Sequence, residues 1–179
     1  YKTSDYYLIV GRFVPENNYE LLIRDFMKSQ TKRDLVIITN HEGNSYYEEL
    51  RAKTNFDKDP RVKFVGTVYD QNELRFIREK AFAYLHGHEV GGTNPGLLEA
   101  MWSTPVNIVL DVNFNRMTAG DSVIYFDKKN LSDILSEVEK ITTVTRQDLQ
   151  NKARQIIEEK YTWEHICAQY EALFTKISD

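Results

Sequence analysis

The stretch His-Gly-His-Glu-Val-Gly-Gly-Thr-Asn-Pro-Gly at residues 86–96 decides the fold of this chain. It follows an apolar run at 81–85 and leads into a helical pattern at 95–102. Asn94 followed by Pro95 is typical of a helix N-cap with proline at the first helical position. Four glycines within these eleven residues let backbone approach a ligand closely. The stretch therefore predicts a strand, a glycine-rich loop and a helix that begins at a cleft.

The same cycle of a short apolar run and a helical pattern occurs along most of the chain. Because the runs alternate little with polar residues, we expect strands that are covered on both faces, as in a parallel sheet. We predict an α/β fold with a doubly wound, Rossmann-like parallel sheet of about six strands, followed by extra helices. The predicted strands are 7–10, 34–39, 62–65, 81–85, 106–110 and 123–126, and the predicted helices are 18–28, 45–54, 72–79, 95–102, 131–141, 146–159 and 162–177.

The composition is typical of a globular protein, and we expect a single domain over residues 1–179. A net charge of -4 gives no electrostatic case for binding nucleic acid. The apolar runs are far shorter than the roughly 18 residues that a membrane-spanning helix needs. Cys167 is the single cysteine, which excludes an intrachain disulfide and favours a reducing compartment. Because the chain begins with Tyr1 and shows no secretory signal, we expect it to be part of a longer protein.

The loops that follow the strands form the candidate ligand site, because open α/β sheets bind ligands at the carboxyl ends of their strands. The free N–H groups and the dipole of the helix after Asn94 are suited to a phosphate or diphosphate. The alternative is an ordinary capped helix after a flexible loop. Glu99, five residues into that helix, is either an acceptor for sugar hydroxyls or an acid that simply favours the helix N-terminus.

Two further loops carry candidate ligand groups. Arg12 follows the first strand, where its guanidinium is suited either to a diphosphate or to an ion pair with Glu16. The loop at 66–70 follows the third strand. It either presents backbone groups to a base or is a plain turn with Asp70 as a helix cap.

The four histidines do not predict a metal site. His86 and His88 are expected to point to opposite sides of an extended segment. His41 and His165 have no carboxylate or cysteine at ligand spacing. The chain also lacks the Gly-x-Ser-x-Gly and P-loop patterns, which disfavours hydrolase and P-loop chemistry.

An ordered set of motifs resembles the carboxyl-terminal domain of GT-B glycosyltransferases of family 4. The resemblance covers essentially the whole chain, and the last helix of that family is similar to residues 161–174. Residues 10–20 and 86–101 most resemble bacterial rhamnosyltransferases that build streptococcal cell-wall or capsular polysaccharides. The motifs are VGRFVPENNYELLIRDF at 10–26, RVKFVGTV at 61–68, GGTNPGLLEAMWSTPV at 91–106 and GDSVIYF at 120–126.

The resemblance implies roles for particular residues in holding a nucleotide sugar. Glu99 matches the second glutamate of the family's paired-glutamate motif, which holds the nucleotide ribose. Arg12 matches an arginine that contacts the diphosphate. The segment that faces the base corresponds to Gly66, Thr67 and Val68. The backbone amides that hold the diphosphate correspond to Gly92, Thr93, Asn94, Gly96 and Leu97.

Two positions depart from the family pattern. The first glutamate of the pair should stand eight residues before the second, where this chain has Gly91. Glu89 is predicted to take the catalytic role in its place if the glycine-rich loop bulges by two residues. Asn17 replaces a phosphate-binding lysine of the family. We therefore expect another group to help hold the diphosphate, either His86, Arg116 or a domain outside this chain.

The function implied by the resemblance is retaining transfer of rhamnose from dTDP-rhamnose to a cell-wall or capsular polysaccharide precursor, without a metal or other cofactor. The expected partners are the nucleotide sugar, an amino-terminal acceptor domain of the same polypeptide and a glycan or lipid-linked acceptor. The expected location is the cytoplasm, at the inner face of the cell membrane. We expect these 179 residues alone to bind nucleotide weakly and without turnover. The alternatives are a UDP-hexose donor, or a non-catalytic nucleotide-binding or interaction module.

The final predicted helix carries several aromatic residues. They either leave apolar surface exposed where another domain packs, or cover the sheet. These residues are Tyr161, Trp163, Tyr170 and Phe174.

Overall fold

A parallel β-sheet forms the centre of the protein. The computed structural model describes residues 5–178, with side chains to residue 175, and this part of the chain contains six strands. They are β1 (Tyr7–Val10), β2 (Leu35–Ile38), β3 (Val62–Phe64), β4 (Ala83–His86), β5 (Asn107–Leu110) and β6 (Ile124–Phe126). Their order across the sheet is β3-β2-β1-β4-β5-β6, and every neighbouring pair is parallel. The order reverses between β1 and β4, so the predicted doubly wound sheet is confirmed.

Helices connect the strands and continue after the last one. The sequence pattern does not predict α5, because its seven residues show no apolar periodicity. The helix α7 begins three residues before its predicted start, because Thr142 caps it by accepting a hydrogen bond from the amide of Thr145 (3.1 Å). The helices are α1 (Tyr19–Lys28), α2 (Ser45–Thr54), α3 (Gln71–Lys80), α4 (Pro95–Ser103), α5 (Asn113–Ala119), α6 (Leu131–Val138), α7 (Thr143–Lys160) and α8 (Trp163–Ser178), with 3-10 turns at Pro15–Asn17 and Phe56–Lys58.

The two faces of the sheet are covered by different helices. On one face, Tyr7 of β1 packs in a cluster with Phe26 of α1 and with residues of α6. On the other face, Leu8 packs with Leu74 of α3 and Ala100 of α4. Successive side chains of a strand point to opposite faces, so a strand whose two faces are both covered favours apolar residues at every position. This explains why the strands read as continuous apolar runs in the sequence.

The helix α8 leaves large apolar side chains in solvent. Trp163, Tyr170 and Phe174 are 79%, 58% and 63% exposed. The interpretation in which these rings cover the sheet is therefore wrong, because α8 follows α7 on the outside of the domain. Within residues 5–178, no helix is both long enough and apolar enough to cross a membrane.

Candidate functional site

A cleft of about 310 Å³ opens at the carboxyl ends of β1 and β4, where the strand order reverses. This is the place at which doubly wound sheets bind their ligands. The loop after β1, the loop after β4 and the first turns of α4 form its walls. The predicted site residues that line it are Arg12, Asn17, His86, Asn94, Gly96 and Glu99.

Arg12 presents a cation to this cleft. It is exposed, and among residues 5–175 its guanidinium forms no ion pair, so the alternative pairing with Glu16 is not found. The side chain of Asn17 fixes the loop on which Arg12 stands. Its Nδ2 donates a hydrogen bond to the carbonyl oxygen of Arg12 (2.7 Å). The guanidinium is therefore left available for an anion.

Close backbone approach at Gly87 brings the loops after β1 and β4 together. A Cβ atom at this position would lie 2.5 Å from the carbonyl oxygen of Asn17 and 3.0 Å from Cδ1 of Leu22. The side chain of Asn18 donates to the carbonyl oxygen of Gly87 (2.8 Å). Only glycine fits here without displacing backbone. Gly87 therefore allows the two loops to approach closely where they line the cleft.

His86 and His88 lie on the same side of the chain, with ring centroids 6.1 Å apart. The expectation that they point to opposite sides is wrong, because residues two apart in an extended segment share a face. His86 is buried, and its Nε2 has no hydrogen-bond partner among the described residues. Burial lowers the pKa of His86 to about 3, with a smaller contribution from His88. The ring is therefore neutral at physiological pH.

The N-terminus of α4 faces the cleft through Asn94. The Oδ1 atom of Asn94 accepts a hydrogen bond from the amide of Gly96 (2.9 Å), and its carbonyl oxygen accepts from the amide of Leu97 (3.0 Å). These two amides, predicted to hold a diphosphate, are thus occupied by the cap. Among the described residues, the amides of Gly92, Thr93 and Asn94 donate to no acceptor. Asn94, the N-cap, lines the cleft, whereas Gly92 and Thr93 belong to the exposed loop that precedes it.

Glu99 is the fifth residue of α4, and its side chain is 48% exposed at the rim of the cleft. Its Oε2 atom lies 2.6 Å from Nη2 of Arg78, at the end of α3. The Arg78 side chain is 4% exposed. The carboxylate that the sequence assigned to a ribose is therefore held by a buried arginine.

Glu89 does not line the cleft. Its carboxylate pairs with Lys128, in the loop after β6, and the bond from Lys128 lowers the pKa of Glu89. Its backbone amide donates to the carbonyl oxygen of Glu16 (3.1 Å). Gly91 has a φ of 119°, a conformation that favours glycine, so a glutamate at the family's position would be strained in this loop.

Two of the three residues predicted to face a base line a second, neighbouring cleft. Gly66 and Thr67 line a cleft of about 250 Å³ between the loops after β2 and β3, together with His41 and Tyr69. Val68 packs instead against the apolar cluster beneath α3. Asp70 caps α3, accepting hydrogen bonds from the amides of Asn72 and Glu73. The loop at 66–70 therefore combines both alternatives: Asp70 caps α3, and the backbone of Gly66 and Thr67 is open to a cleft.

Arg78 and Tyr84 also line the cleft and were missed by the sequence reasoning. Arg78 stands four residues after the buried Leu74, on the apolar face of α3, and a charge at such a position is the available signal. The predicted helper Arg116 lies elsewhere, paired with Asp111. Among the described residues, no group of three or more His, Cys, Asp or Glu side chains could hold a metal ion.

The doubly wound sheet, with a glycine-rich loop and a helix N-terminus at its switch point, defines the class of open α/β domains that bind ligands at the strand ends. The model of the family described as "Glycosyl transferases group 1" matches residues 1–163. The chain belongs to this family, and its fold is that of a GT-B carboxyl-terminal domain. A comparison with curated proteins found no match.

Solved structures with this fold come from several bacteria. The C-terminal domain of a glycosyl transferase group 1 protein from Francisella tularensis superposes with a TM-score of 0.71 at 16% identity, over 88% of this chain and 87% of that one. The catalytic domain of a Helicobacter pylori cholesterol-α-glucosyltransferase gives 0.68 at 23% identity, over 88% and 99%. A UDP-forming α,α-trehalose-phosphate synthase from Burkholderia vietnamiensis gives 0.81 at 12% identity, over 99% of this chain and only 46% of that one.

Proposed function

We propose that this chain is the donor-binding domain of a glycosyltransferase, and that its cleft holds the nucleoside diphosphate of a nucleotide sugar. The observation that carries the proposal is the meeting of Arg12, Glu99 and the N-terminus of α4 in one cleft at the switch point of the sheet. A forked cation and a helix N-terminus suit a diphosphate. A carboxylate at the rim suits the hydroxyl groups of a pentose.

The proposed chemistry is stabilisation of a leaving nucleoside diphosphate. Negative charge develops on the diphosphate as its bond to the sugar breaks, and preorganised donors lower the energy of that state. Here the proposed donors are the guanidinium of Arg12, which lines the cleft, and the amides of Gly92 and Thr93 in the exposed loop before α4, which donate to no acceptor among the described residues. The catalytic role proposed for Glu89 requires its carboxylate to leave Lys128 and enter the cleft. Asn17 and the neutral ring of His86 complete the wall around the diphosphate.

The donor that we propose is dTDP-rhamnose, with retaining transfer to a cell-wall or capsular polysaccharide precursor. This proposal is supported by the sequence of the loop at 86–96 and of residues 10–20, which resemble rhamnosyltransferases. A UDP-hexose donor is the second candidate, and the UDP-forming synthase from Burkholderia vietnamiensis has the same fold. The base-facing segment proposed for either donor is the backbone of Gly66 and Thr67, with Val68 beneath it.

A second domain is proposed to complete the enzyme. The chain spans 46% of the trehalose-phosphate synthase, so an acceptor domain of the same polypeptide is proposed to carry the glycan or lipid-linked acceptor. The proposed location of the complete enzyme is the inner face of the cytoplasmic membrane. By this proposal the present 179 residues bind nucleotide but transfer no sugar.

Nucleotide titration followed by NMR tests the proposal. We expect dTDP, added to ¹⁵N-labelled protein, to shift the amide signals of Gly92, Thr93 and Asn94. Thermal stabilisation by dTDP-rhamnose and by UDP-glucose then separates the two donors, because the tighter ligand gives the larger rise in Tm. A larger rise with UDP-glucose contradicts the rhamnose donor. Shifts confined to residues away from α4 contradict the nucleotide site itself.

A further inference from the structure

A buried arginine stands behind the carboxylate at the rim of the cleft. Arg78 is 3% exposed and lies in the last turn of α3, whereas Glu99 belongs to α4. Among the described residues, Glu99 is the one carboxylate within 4.0 Å of the Arg78 guanidinium. Nε of Arg78 is buried and has no hydrogen-bond partner in that part of the chain. The pairing therefore joins a fixed, buried cation to a carboxylate that reaches solvent.

Arg78 is fixed by its surroundings, whereas Glu99 is partly exposed to solvent. The main chain of Arg78 is tied to the body of the domain, since its carbonyl oxygen accepts hydrogen bonds from Oγ1 of Thr104 (3.1 Å) and from the amide of Ala81 (3.3 Å). A buried guanidinium without a carboxylate would be left uncompensated, so Arg78 keeps Glu99 close. An exposed glutamate without such a partner would sample several rotamers. The direction of the constraint thus runs from Arg78 to Glu99.

The geometry of the pair leaves half of the carboxylate free. Arg78 occupies Oε2 of Glu99, and a carboxylate has acceptor sites on both oxygens. Both side chains line the same cleft as Arg12 and the N-terminus of α4. Glu99 also borders a second cleft, between α3 and α4, so its remaining acceptor sites stay available at a rim that the two clefts share. A purely structural link between α3 and α4 would not require the carboxylate to stand at the rim.

We propose that Arg78 is a positioning residue that orients Glu99 to accept a hydrogen bond from a pentose hydroxyl of a bound nucleoside diphosphate. This inference rests on the proposed function. It assigns Arg78 no contact with the diphosphate, which is left to Arg12 and the helix N-terminus. It therefore separates recognition of the pentose from recognition of the phosphates.

Binding of three probes to the chain tests this role. The probes are dTDP, 2′,3′-dideoxythymidine diphosphate, which lacks the 3′-hydroxyl, and inorganic pyrophosphate. We expect the wild-type protein to prefer dTDP over the dideoxy analogue by about tenfold, the size of one hydrogen bond to a charged group. We expect Arg78→Met to abolish this preference and to leave the affinity for pyrophosphate unchanged. Arg75→Met is the matched control, because Arg75 lies one turn earlier on α3 and pairs with the exposed Glu79.

Two comparisons make the result decisive. An Arg78→Met protein that keeps the full preference for dTDP overturns the inference. If Arg78→Met does not fold by circular dichroism, Arg78→Gln decides in the same way, because glutamine keeps a polar group in the buried site but is shorter and removes the charge that holds Glu99. A wild-type protein that binds both nucleotides equally also overturns it. A wild-type protein that binds none of the three probes instead contradicts the proposed function, and with it this inference.

Discussion

Asn17 and His88, 71 residues apart in the sequence, are joined by a hydrogen bond of 2.7 Å from Nδ1 of His88 to Oδ1 of Asn17. Because Nδ2 of the same amide donates to the carbonyl oxygen of Arg12, the Asn17 side chain clips the loop after β1 to the loop after β4. Asn17 stands where the resembled family has a lysine, and its amide is already engaged at both ends. Among the described residues that line the cleft, Arg12 is the cation without an ion-pair partner.

Replacing Arg12 with alanine is expected to weaken dTDP binding by about tenfold or more, because a charge-assisted hydrogen bond contributes roughly 1.5–3 kcal/mol. The affinity for inorganic pyrophosphate should fall by the same factor, because Arg12 is proposed to bind the phosphates. Calorimetric titration measures both. Arg24→Ala is the control, since Arg24 is an exposed arginine on α1 outside the cleft. Equal affinities for wild type and Arg12→Ala would show that the phosphates bind elsewhere.

Gly87→Ala is expected to destabilise the protein by about 3 kcal/mol, because its Cβ would lie 2.5 Å from the carbonyl oxygen of Asn17. This corresponds to a fall in Tm of roughly 6–12 °C for a chain of this size. Differential scanning calorimetry measures it. Gly92→Ala is the matched control in the same loop, where an added Cβ meets nothing within 4 Å. A Gly87→Ala protein as stable as Gly92→Ala would refute the close approach of the two loops.

His86 is expected to make stability depend on pH in acid. Its pKa is about 3 in the native state, because of burial, against 6.5 ordinarily. Between pH 6.5 and 3, His86 is protonated in the unfolded chain and stays neutral in the folded chain. The stabilisation that comes from the neutral His86 ring is therefore complete above pH 6.5. It is lost as pH falls toward 3, where the free energy of unfolding decreases by up to about 1.4 kcal/mol per pH unit. His88, whose pKa is also lowered mainly by burial, acts in the same direction.

Urea denaturation at pH 7.5, 6 and 5 measures this dependence. The free energy of unfolding of the wild type should fall more steeply with acid than that of His86→Gln, whose side chain does not titrate. His165→Gln, which removes a histidine from α8, controls for the loss of any one histidine. Parallel curves for wild type and His86→Gln would show that the native state protonates His86 readily.

The sheet could be predicted from sequence because its strands are buried on both faces. The strands are short, largely apolar runs, whose polar members are Lys63 in β3, His86 in β4 and Asn107 in β5. The helical patterns between them require crossovers that make the strands parallel. The predicted place of the site followed from the same argument, because the switch point of a doubly wound sheet is fixed by strand order. By contrast, α5 could not be predicted, since its seven residues carry no periodic apolar face.

The side-chain partners within the site were beyond the sequence. The pairing of Arg78 with Glu99 joins two helices, and no local pattern indicates which exposed carboxylate a buried arginine will meet. Lys128, in the loop after β6, pairs with Glu89 of the glycine-rich loop, and no local pattern indicates that contact either. The side assigned to His86 relative to His88 was an error of geometry, because the period of two in an extended segment places both rings together.

The cap of α4 gives a prediction in which stability and affinity change in opposite directions. Asn94→Asp keeps the hydrogen bond to the amide of Gly96 and adds a negative charge at the helix N-terminus, so stability should rise by about 0.5 kcal/mol. The same charge would stand beside the bound diphosphate, so the affinity for dTDP should fall by about tenfold at low ionic strength.

The matched control is Asp70→Asn at the cap of α3, which should lower stability by about 0.5 kcal/mol and leave the affinity for dTDP unaltered. Thermal melts and calorimetric titration at low salt measure the two effects. Undiminished dTDP binding by Asn94→Asp would place the phosphates away from α4, because two like charges a few ångströms apart at a helix end must repel.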